Sequence, residues 1–132
     1  MILLDANVIL DVWDRDPIWY IWSRDQLRNM SLMDELAINP IVYAEISARF
    51  PTSAALDEKL EDLGVIVIST PRGAAFLAGK AFVLYRRQGG TKGNVLPDFF
   101  IGAHAAVLGC PLLTRDTRRY STYFPSVRLI SP

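Results

Sequence analysis

Cysteine and histidine are almost missing from this sequence, since Cys110 and His104 are the single examples of each among 132 residues. One cysteine can form no disulfide within the chain and cannot build a zinc site from several thiolates. No apolar run approaches the roughly 20 residues that a membrane-spanning helix needs. Residues 1–5 also lack the basic and apolar regions of a signal peptide. We therefore expect a cytoplasmic protein that does not interact with membranes and is neither a disulfide scaffold nor a zinc ribbon.

An excess of charge of either sign is also missing, because the formal net charge is zero. The charges are unevenly distributed along the chain, however. Residues 1–65 hold twelve acids and five bases, a net charge of −7, whereas residues 66–132 hold nine bases and two acids, a net charge of +7. This asymmetry predicts a basic face that can meet phosphate, unless the fold intersperses the two halves. The two acids of the basic half are Asp98 and Asp116.

The apolar pattern predicts an α/β fold. Hydrophobic residues make up 51% of the chain, and short apolar runs alternate with segments of helical periodicity. The predicted strands are residues 1–4, 35–38, 65–68, 111–114 and 127–130. The predicted helices are residues 6–13, 17–31, 40–50, 54–63, 72–87 and 96–108, and residues 120–124 form a short aromatic segment. Strands separated by helices indicate a three-layer α/β/α domain with a central, mainly parallel sheet, which we expect to be a single domain of residues 1–132.

Four acids occupy positions where such a sheet would bring them together. Asp5 follows the first strand directly, and Asp116 comes two residues after the strand that ends at residue 114. Parallel neighbours would present both acids at the carboxyl edge of the sheet, where ligands bind in these folds. Either aspartate alone could simply be a turn residue.

The other two acids lie on predicted helices. Helical geometry places Glu45 inside the apolar stripe of its helix, so we expect a buried carboxylate that needs a metal or a basic partner, such as Arg49. Asp98 follows Pro97 in the first turn of a nearly all-apolar helix. The helix dipole favours an acid there, but an acid at the head of a buried helix is also well placed to point into a site.

Oxygen ligands without cysteine or histidine favour a hard cation, so the four acids predict a site for Mg²⁺, with Mn²⁺ as an alternative. A cation of this kind activates water and neutralises charge on a phosphodiester. The basic half supplies candidate phosphate contacts, although a base taken alone is more often a solvated surface charge than a contact. These candidates are Arg115, Arg118, Arg119, Arg86, Arg87 and Lys92.

Four sequence segments together resemble the motifs of PIN domains, and in particular those of the VapC-like toxins of toxin–antitoxin pairs. In chain order they are residues 4–10 (Leu-Asp-Ala-Asn-Val-Ile-Leu), 39–46 (Asn-Pro-Ile-Val-Tyr-Ala-Glu-Ile), 97–105 (Pro-Asp-Phe-Phe-Ile-Gly-Ala-His-Ala) and 113–116 (Leu-Thr-Arg-Asp). The resemblance spans essentially the whole chain. It implies a metal-dependent endoribonuclease in which Asp5, Glu45, Asp98 and Asp116 are the metal ligands and catalytic acids.

The same resemblance implies supporting roles for Asn7 and Thr114 beside the acids. Of the basic residues, we expect Arg115, Arg118 and Arg119 to contact RNA. The resemblance also implies a cognate antitoxin, and we expect a homodimer. An antitoxin segment could dock on the first two helices, where Trp13, Trp19, Tyr20 and Trp22 cluster, although each tryptophan can equally be a core residue.

Two other functions are compatible with parts of the sequence. A haloacid-dehalogenase-like phosphatase also has an aspartate after its first strand, but it needs Asp-x-Asp where this chain has Asp5-Ala6-Asn7. A PIN-like scaffold that only binds RNA or protein is the non-catalytic alternative. His104 lies about 240° around its helix from Asp98, so we expect a structural histidine rather than a general base.

Overall fold

Short strands and α-helices alternate along the chain in the computed structural model, which describes residues 1–132. The strands are β1 (Ile2–Leu4), β2 (Leu36–Ile38), β3 (Val65–Val67), β4 (Leu112–Leu113) and β5 (Leu129–Ile130). The helices are α1 (Ala6–Trp13), α2 (Tyr20–Met33), α3 (Pro40–Ser47), α4 (Ser53–Leu63), α5 (Arg72–Arg87), α6 (Leu96–Leu108) and α7 (Arg118–Tyr123). A 3₁₀ turn, Gly93–Val95, precedes α6.

All five strands are parallel and form one sheet in the order β3-β2-β1-β4-β5. The central strand β1 pairs Leu3 with Ala37 of β2 on one side and with Leu112 of β4 on the other. Its three residues are fully buried, as expected for a parallel strand covered by helices on both faces. The predicted three-layer α/β/α fold is thereby confirmed, and β1 and β4 end side by side.

Local sequence signals explain most element boundaries. The side-chain oxygen of Asn39 accepts a hydrogen bond from the Val42 amide at 3.0 Å, so α3 begins at Pro40 as predicted. Gly64 ends α4 with a φ of 69°, a backbone conformation that favours glycine.

Most predicted strands are one or two residues shorter at an end in the structure, and the helices differ in the following places. Helix α2 begins at Tyr20 rather than at Pro17, and residues 17–19 form a turn in which the Asp16 carboxylate accepts hydrogen bonds from the amides of Ile18 and Trp19. Helix α3 ends at Ser47 instead of residue 50. The aromatic segment of residues 120–124 is largely helical, as part of α7.

Gly102 lets the chain pack the C-terminal part of the protein onto α6. A Cβ atom at this position would lie 2.4 Å from the ring of Phe124, closer than any real contact. The buried Phe124 ring thus takes the space that a side chain at position 102 would need. No helix of the structure combines the length and the apolar character required to cross a membrane.

Candidate functional site

The four predicted acids come from four different parts of the fold. Asp5 immediately follows β1, Asp116 lies in the turn after β4, Glu45 is on α3 and Asp98 is in the first turn of α6. Their charges act on one another: Asp98 raises the pKa of Asp5, Asp5 and Asp98 both raise that of Glu45, and Asp116 raises that of Asp98. The structure therefore brings the acids together at the carboxyl edge of the sheet.

Asp5 is the most buried of the four acids and is held on one side only. Its Oδ2 atom accepts hydrogen bonds from the hydroxyls of Thr114 and Tyr120, both at 2.9 Å, and from the Asn7 amide at 3.3 Å. No side chain donates to the other oxygen, Oδ1. The three side-chain donors thus fix the orientation of the carboxylate through Oδ2 and leave Oδ1 without a side-chain donor.

Burial and like charges make this group of carboxylates difficult to ionise. Burial raises the pKa of Asp5 to about 6 against the opposing hydrogen bonds from Thr114 and Tyr120, and Asp98 adds to the rise. Partial desolvation, followed by the charges of Asp5 and Asp98, raises the pKa of Glu45 to about 7. A cation near these oxygens would relieve the repulsion.

The prediction that Glu45 is buried is wrong, because its side chain is exposed. The buried residues of α3 are Val42 and Ile46, one turn apart, and Glu45 projects from the edge of the stripe that they define. The predicted partner Arg49 instead forms an ion pair with Asp14, with 2.6 Å between Nη2 and Oδ2. Glu45 is thus a solvent-accessible member of the acid cluster, the name used below for Asp5, Glu45, Asp98 and Asp116.

Asp98 already has a cationic partner from the same chain. The guanidinium of Arg119, on α7, forms an ion pair with its carboxylate, and both side chains are about three-quarters buried. Burial raises the pKa of Asp98, and the Arg119 charge works against that rise. Arg119, which was predicted to contact RNA, therefore reaches into the acid cluster.

The chemistry of these side chains fits a hard cation such as Mg²⁺ or Mn²⁺. All candidate ligands are carboxylate oxygens, Oδ1 of Asp5 has no side-chain donor, and the raised pKa values indicate a need for positive charge. As they stand, no three acidic, histidine or cysteine side chains converge closely enough to share one ion. Ligation therefore requires small side-chain movements, and at Asp98 it requires displacement of Arg119.

Asn7 and Arg115 connect the two strand ends that carry Asp5 and Asp116. The Asn7 amide donates to Asp5 and to Thr114, each at 3.3 Å, and its oxygen accepts from the Arg115 amide at 3.4 Å. The Thr114 hydroxyl oxygen accepts from the Asp116 amide at 3.0 Å. Both predicted supporting residues, Asn7 and Thr114, thus lie within the hydrogen-bonded network of the acids.

The side chain of Arg115 points away from the acid cluster. Its Nε atom donates to Oδ2 of the buried Asp11 at 2.8 Å, and the hydroxyl of Ser23 donates to the same oxygen. The Arg115 guanidinium also lies 5.6 Å from the ring centroid of Trp19. Among the three arginines predicted to contact RNA, only Arg118 forms no ion pair and is exposed.

His104 lies in the core, fully buried on α6, with Nδ1 3.3 Å from Nδ2 of Asn39. Burial lowers the pKa of its imidazole. His104 is therefore a buried structural residue, as expected.

Two polar residues of this region were not predicted from sequence. The sequence places Tyr120 in an aromatic segment but gives no sign of a polar role for it. No local signal pairs it with Asp5, which lies 115 residues earlier in the chain. Asp11 lies on α1, and a helical wheel could have placed it on the buried side with Val8, one turn earlier.

Comparison with known proteins defines the family. The family model for the PIN domain matches residues 2–125, nearly the whole chain. The chain belongs to the PIN domain family. A search of curated protein sequences found no significant match.

Solved structures of other proteins share this fold. A chain of VapBC2 from Rickettsia felis, bound to a promoter DNA fragment, aligns with a TM-score of 0.72 at 21% identity and covers 99% of this chain and 98% of its own. VapBC-1 from nontypeable Haemophilus influenzae gives the same TM-score and coverage at 22% identity. FitAcB from Neisseria gonorrhoeae aligns with a TM-score of 0.64 at 22% identity, over 98% of this chain and 96% of its own.

Proposed function

We propose that this PIN domain is a metal-dependent endoribonuclease that acts as the toxin of a toxin–antitoxin pair. The observation that carries the proposal is the placement of four carboxylates from separate elements around the carboxyl edge of one parallel sheet. Repelling acids at this position cost stability unless a cation or substrate chemistry makes use of them. The acids are Asp5, Glu45, Asp98 and Asp116.

In this proposal Asp5, Glu45, Asp98 and Asp116 hold Mg²⁺ or Mn²⁺, which when bound lowers the pKa of a coordinated water and offsets charge on the scissile phosphodiester. The protein fixes the geometry. Thr114, Tyr120 and Asn7 all donate to Oδ2 of Asp5, so that Oδ1 is presented in a constant direction. Asn7 is itself held by the Arg115 amide, which ties this orientation to the loop bearing Asp116.

The substrate is proposed to be RNA that enters from the basic side of the cluster. Arg118 is exposed and unpaired, two residues from Asp116, so it can contact a phosphate near the acids. Arg115 supports the loop through its ion pair with Asp11, which occupies its guanidinium. If a cation were bound by the acids, it would compete with Arg119 for Asp98, and the Arg119 guanidinium would then be available to a phosphate.

An RNA cleavage assay tests the proposed activity. End-labelled RNA is incubated with the purified chain and Mg²⁺ or Mn²⁺, with EDTA in a parallel reaction, and the new ends are sequenced. Asp5→Asn and Asp98→Asn should abolish cleavage, whereas Glu58→Gln, at an exposed position on α4, should not. RNA binding without cleavage in every metal would favour the non-catalytic PIN-like module over the enzyme.

The proposed antitoxin would cover the start of α2. Ile18 and Ile21 are 78% and 58% exposed there, beside the half-buried Trp19 and Trp22. The Trp19 ring also supports Arg115, so its removal would disturb the enzyme as well as the surface. Ile18→Ser and Ile21→Ser are therefore the cleaner variants.

Co-expression of each variant with a candidate antitoxin, followed by purification of the complex, gives the measurement. The two isoleucine variants should weaken the complex, whereas Leu32→Ser, 83% exposed at the other end of α2, should bind normally. Equal affinity for all three variants would place the antitoxin elsewhere. The expected homodimer stays a prediction, to be measured by sedimentation of the isolated chain.

A further inference from the structure

A cavity of about 480 Å³ opens beside Asp116, between the C-terminal end of α5, the loop after it and α7. Its volume falls in the range of small-molecule sites. The side chains around it are unusual in combining several cations with two aromatic rings and one acid of the cluster. They are Tyr85, Lys92, Asp116, Arg118, Arg119, Thr122 and Tyr123.

From this cavity we infer a subsite for one nucleotide of single-stranded RNA next to the scissile phosphodiester, with Lys92 and Arg118 on a phosphate and Tyr123 against the base. The inference rests on the proposed function, since it specifies how the RNA lies beside the acids. Neither Lys92 nor Arg118 forms an ion pair within the chain, so both charges are free for phosphate. Asp116 connects the cavity to the acid cluster.

The loop after α5 is fixed in a way that places Lys92 at the cavity. The Lys92 amide donates to the hydroxyl oxygen of Tyr85 at 3.1 Å. Gly90 lies flat against the same ring, because a Cβ atom there would be 2.4 Å from its carbon atoms. The loop thus covers part of the Tyr85 ring and leaves its hydroxyl proton free to donate to the nucleotide.

Tyr123 is the aromatic side chain suited to the base. Its hydroxyl donates to Gln88 at 2.9 Å, and its ring packs edge-on against Phe99 and Tyr85, with centroids 5.1 and 6.2 Å away. These contacts hold the ring in place, while the side chain stays half-exposed on the cavity wall. A rigid, accessible aromatic ring beside free cations is the combination with which proteins bind single-stranded nucleic acid.

Binding of a fluorescein-labelled single-stranded RNA of about ten nucleotides, measured by anisotropy in EDTA so that nothing is cut, tests the subsite. Lys92→Ala should reduce the slope of log affinity against log salt by roughly 0.7, because one phosphate contact is lost. Tyr123→Leu should weaken binding roughly fivefold or more without changing that slope, because stacking carries no charge. Lys80→Ala, an exposed lysine of α5 outside the cavity, is the matched control.

A second measurement does not depend on the folding of any variant. The same RNA carrying 4-thiouridine is cross-linked to the wild-type chain, which is then digested with trypsin. The nucleotide should be attached to the peptide of residues 120–128, which contains Tyr123. Cross-links confined to peptides that do not line the cavity would overturn the subsite.

The two proposals fail in different ways. If the wild type cleaves RNA with Mg²⁺ while Lys92→Ala and Tyr123→Leu bind RNA like Lys80→Ala, the subsite is wrong and the ribonuclease stands. If the wild type neither binds nor cleaves RNA in any metal, the proposed function is overturned and the subsite with it.

Discussion

The Tyr120 hydroxyl donates a hydrogen bond to Oδ2 of Asp5 at 2.9 Å, and both residues are buried. The bond joins the end of the first strand to the last helix. Two other donors share the same oxygen, so Tyr120 takes part in aiming the free oxygen of Asp5 rather than in packing alone.

Replacement of Tyr120 by phenylalanine should therefore affect metal binding more than folding. The ring keeps its place in the core, and loss of one hydrogen bond should lower the free energy of unfolding by about 1 kcal/mol. Mn²⁺ affinity, measured by calorimetry, should fall because Asp5 is less firmly oriented. Tyr43→Phe is the matched control, since the Tyr43 hydroxyl donates to the exposed Asp57. Equal Mn²⁺ affinity in both variants would deny Tyr120 this role.

The stability of the metal-free protein should decrease as the pH rises from about 5 to about 7.5. Asp5 and Glu45 have raised pKa values, about 6 and about 7, so the folded state holds their protons more tightly than the unfolded state. Their stabilising effect is complete below the ordinary values and is lost as the pH passes through the raised ones. His104, whose pKa is lowered, acts in the opposite direction.

The melting temperatures of the wild type and of variants are measured in EDTA at both pH values. The difference between them shows how much each carboxyl group contributes to the loss of stability. Asp5→Asn and Glu45→Gln should each reduce the fall in melting temperature, whereas the exposed Glu58→Gln should leave it unchanged. An undiminished fall in Asp5→Asn would show that its carboxyl is not responsible.

Arg119 should stabilise the protein in the absence of metal and oppose metal binding. Its guanidinium pairs with Asp98, so Arg119→Gln leaves the acids without their internal cation. In EDTA the variant should melt at a lower temperature than the wild type. On addition of Mn²⁺ its melting temperature should rise further than that of the wild type, because no arginine has to be displaced. Arg118→Gln, which breaks no ion pair, should show the wild-type response.

Arg115 should matter for stability in a way that Arg118 does not. Arg115→Ala leaves the carboxylate of Asp11, 3% exposed, without its cation, and should cost about 2 kcal/mol of unfolding free energy. Arg118→Ala should have little effect on stability, because the side chain is exposed. Chemical denaturation of both variants gives the comparison, and equal stabilities would contradict a structural role for the Asp11–Arg115 pair.

Gly102→Ala should destabilise the protein although alanine favours helices by about 1 kcal/mol over glycine. The new methyl group meets the Phe124 ring, and overpacking of this kind costs about 1–3 kcal/mol. The control is Gly79→Ala on α5. A Cβ atom there has nothing within 4 Å, so this substitution should stabilise the protein. A rise in melting temperature for both variants would show that Phe124 moves aside at little cost.

Sequence patterns predicted most of the fold because its elements depend on local signals. Helix α5 was predicted over residues 72–87, which are its bounds in the structure, and Asn39 caps α3 through the predicted bond. The start of α2 was missed because Asp16 and Pro17 have the residue types of a helix start, whereas in the structure they open a turn that precedes the helix.

The acids themselves could be named from sequence, but their surroundings could not. Asp5 and Asp116 follow strands, which is a local property, whereas the Tyr120–Asp5, Arg119–Asp98 and Arg115–Asp11 contacts join residues between 21 and 115 positions apart. Glu45 was placed correctly on its helix but wrongly in the interior, since α3 buries only the side of Val42 and Ile46 and leaves Glu45 exposed. Such contacts depend on how the elements pack, which no local pattern contains.

The position of β1 in the middle of the sheet has a consequence for synthesis on the ribosome. One neighbour of β1, β4, is translated long after it, and the two hydroxyls that hold Asp5 come from Thr114 and Tyr120, 109 and 115 residues further along the chain. A nascent chain that has not reached these residues leaves Asp5 unsupported and lacks Asp116 altogether. If the chain is a ribonuclease, a growing copy therefore has no complete group of acids until β4 and α7 have been made.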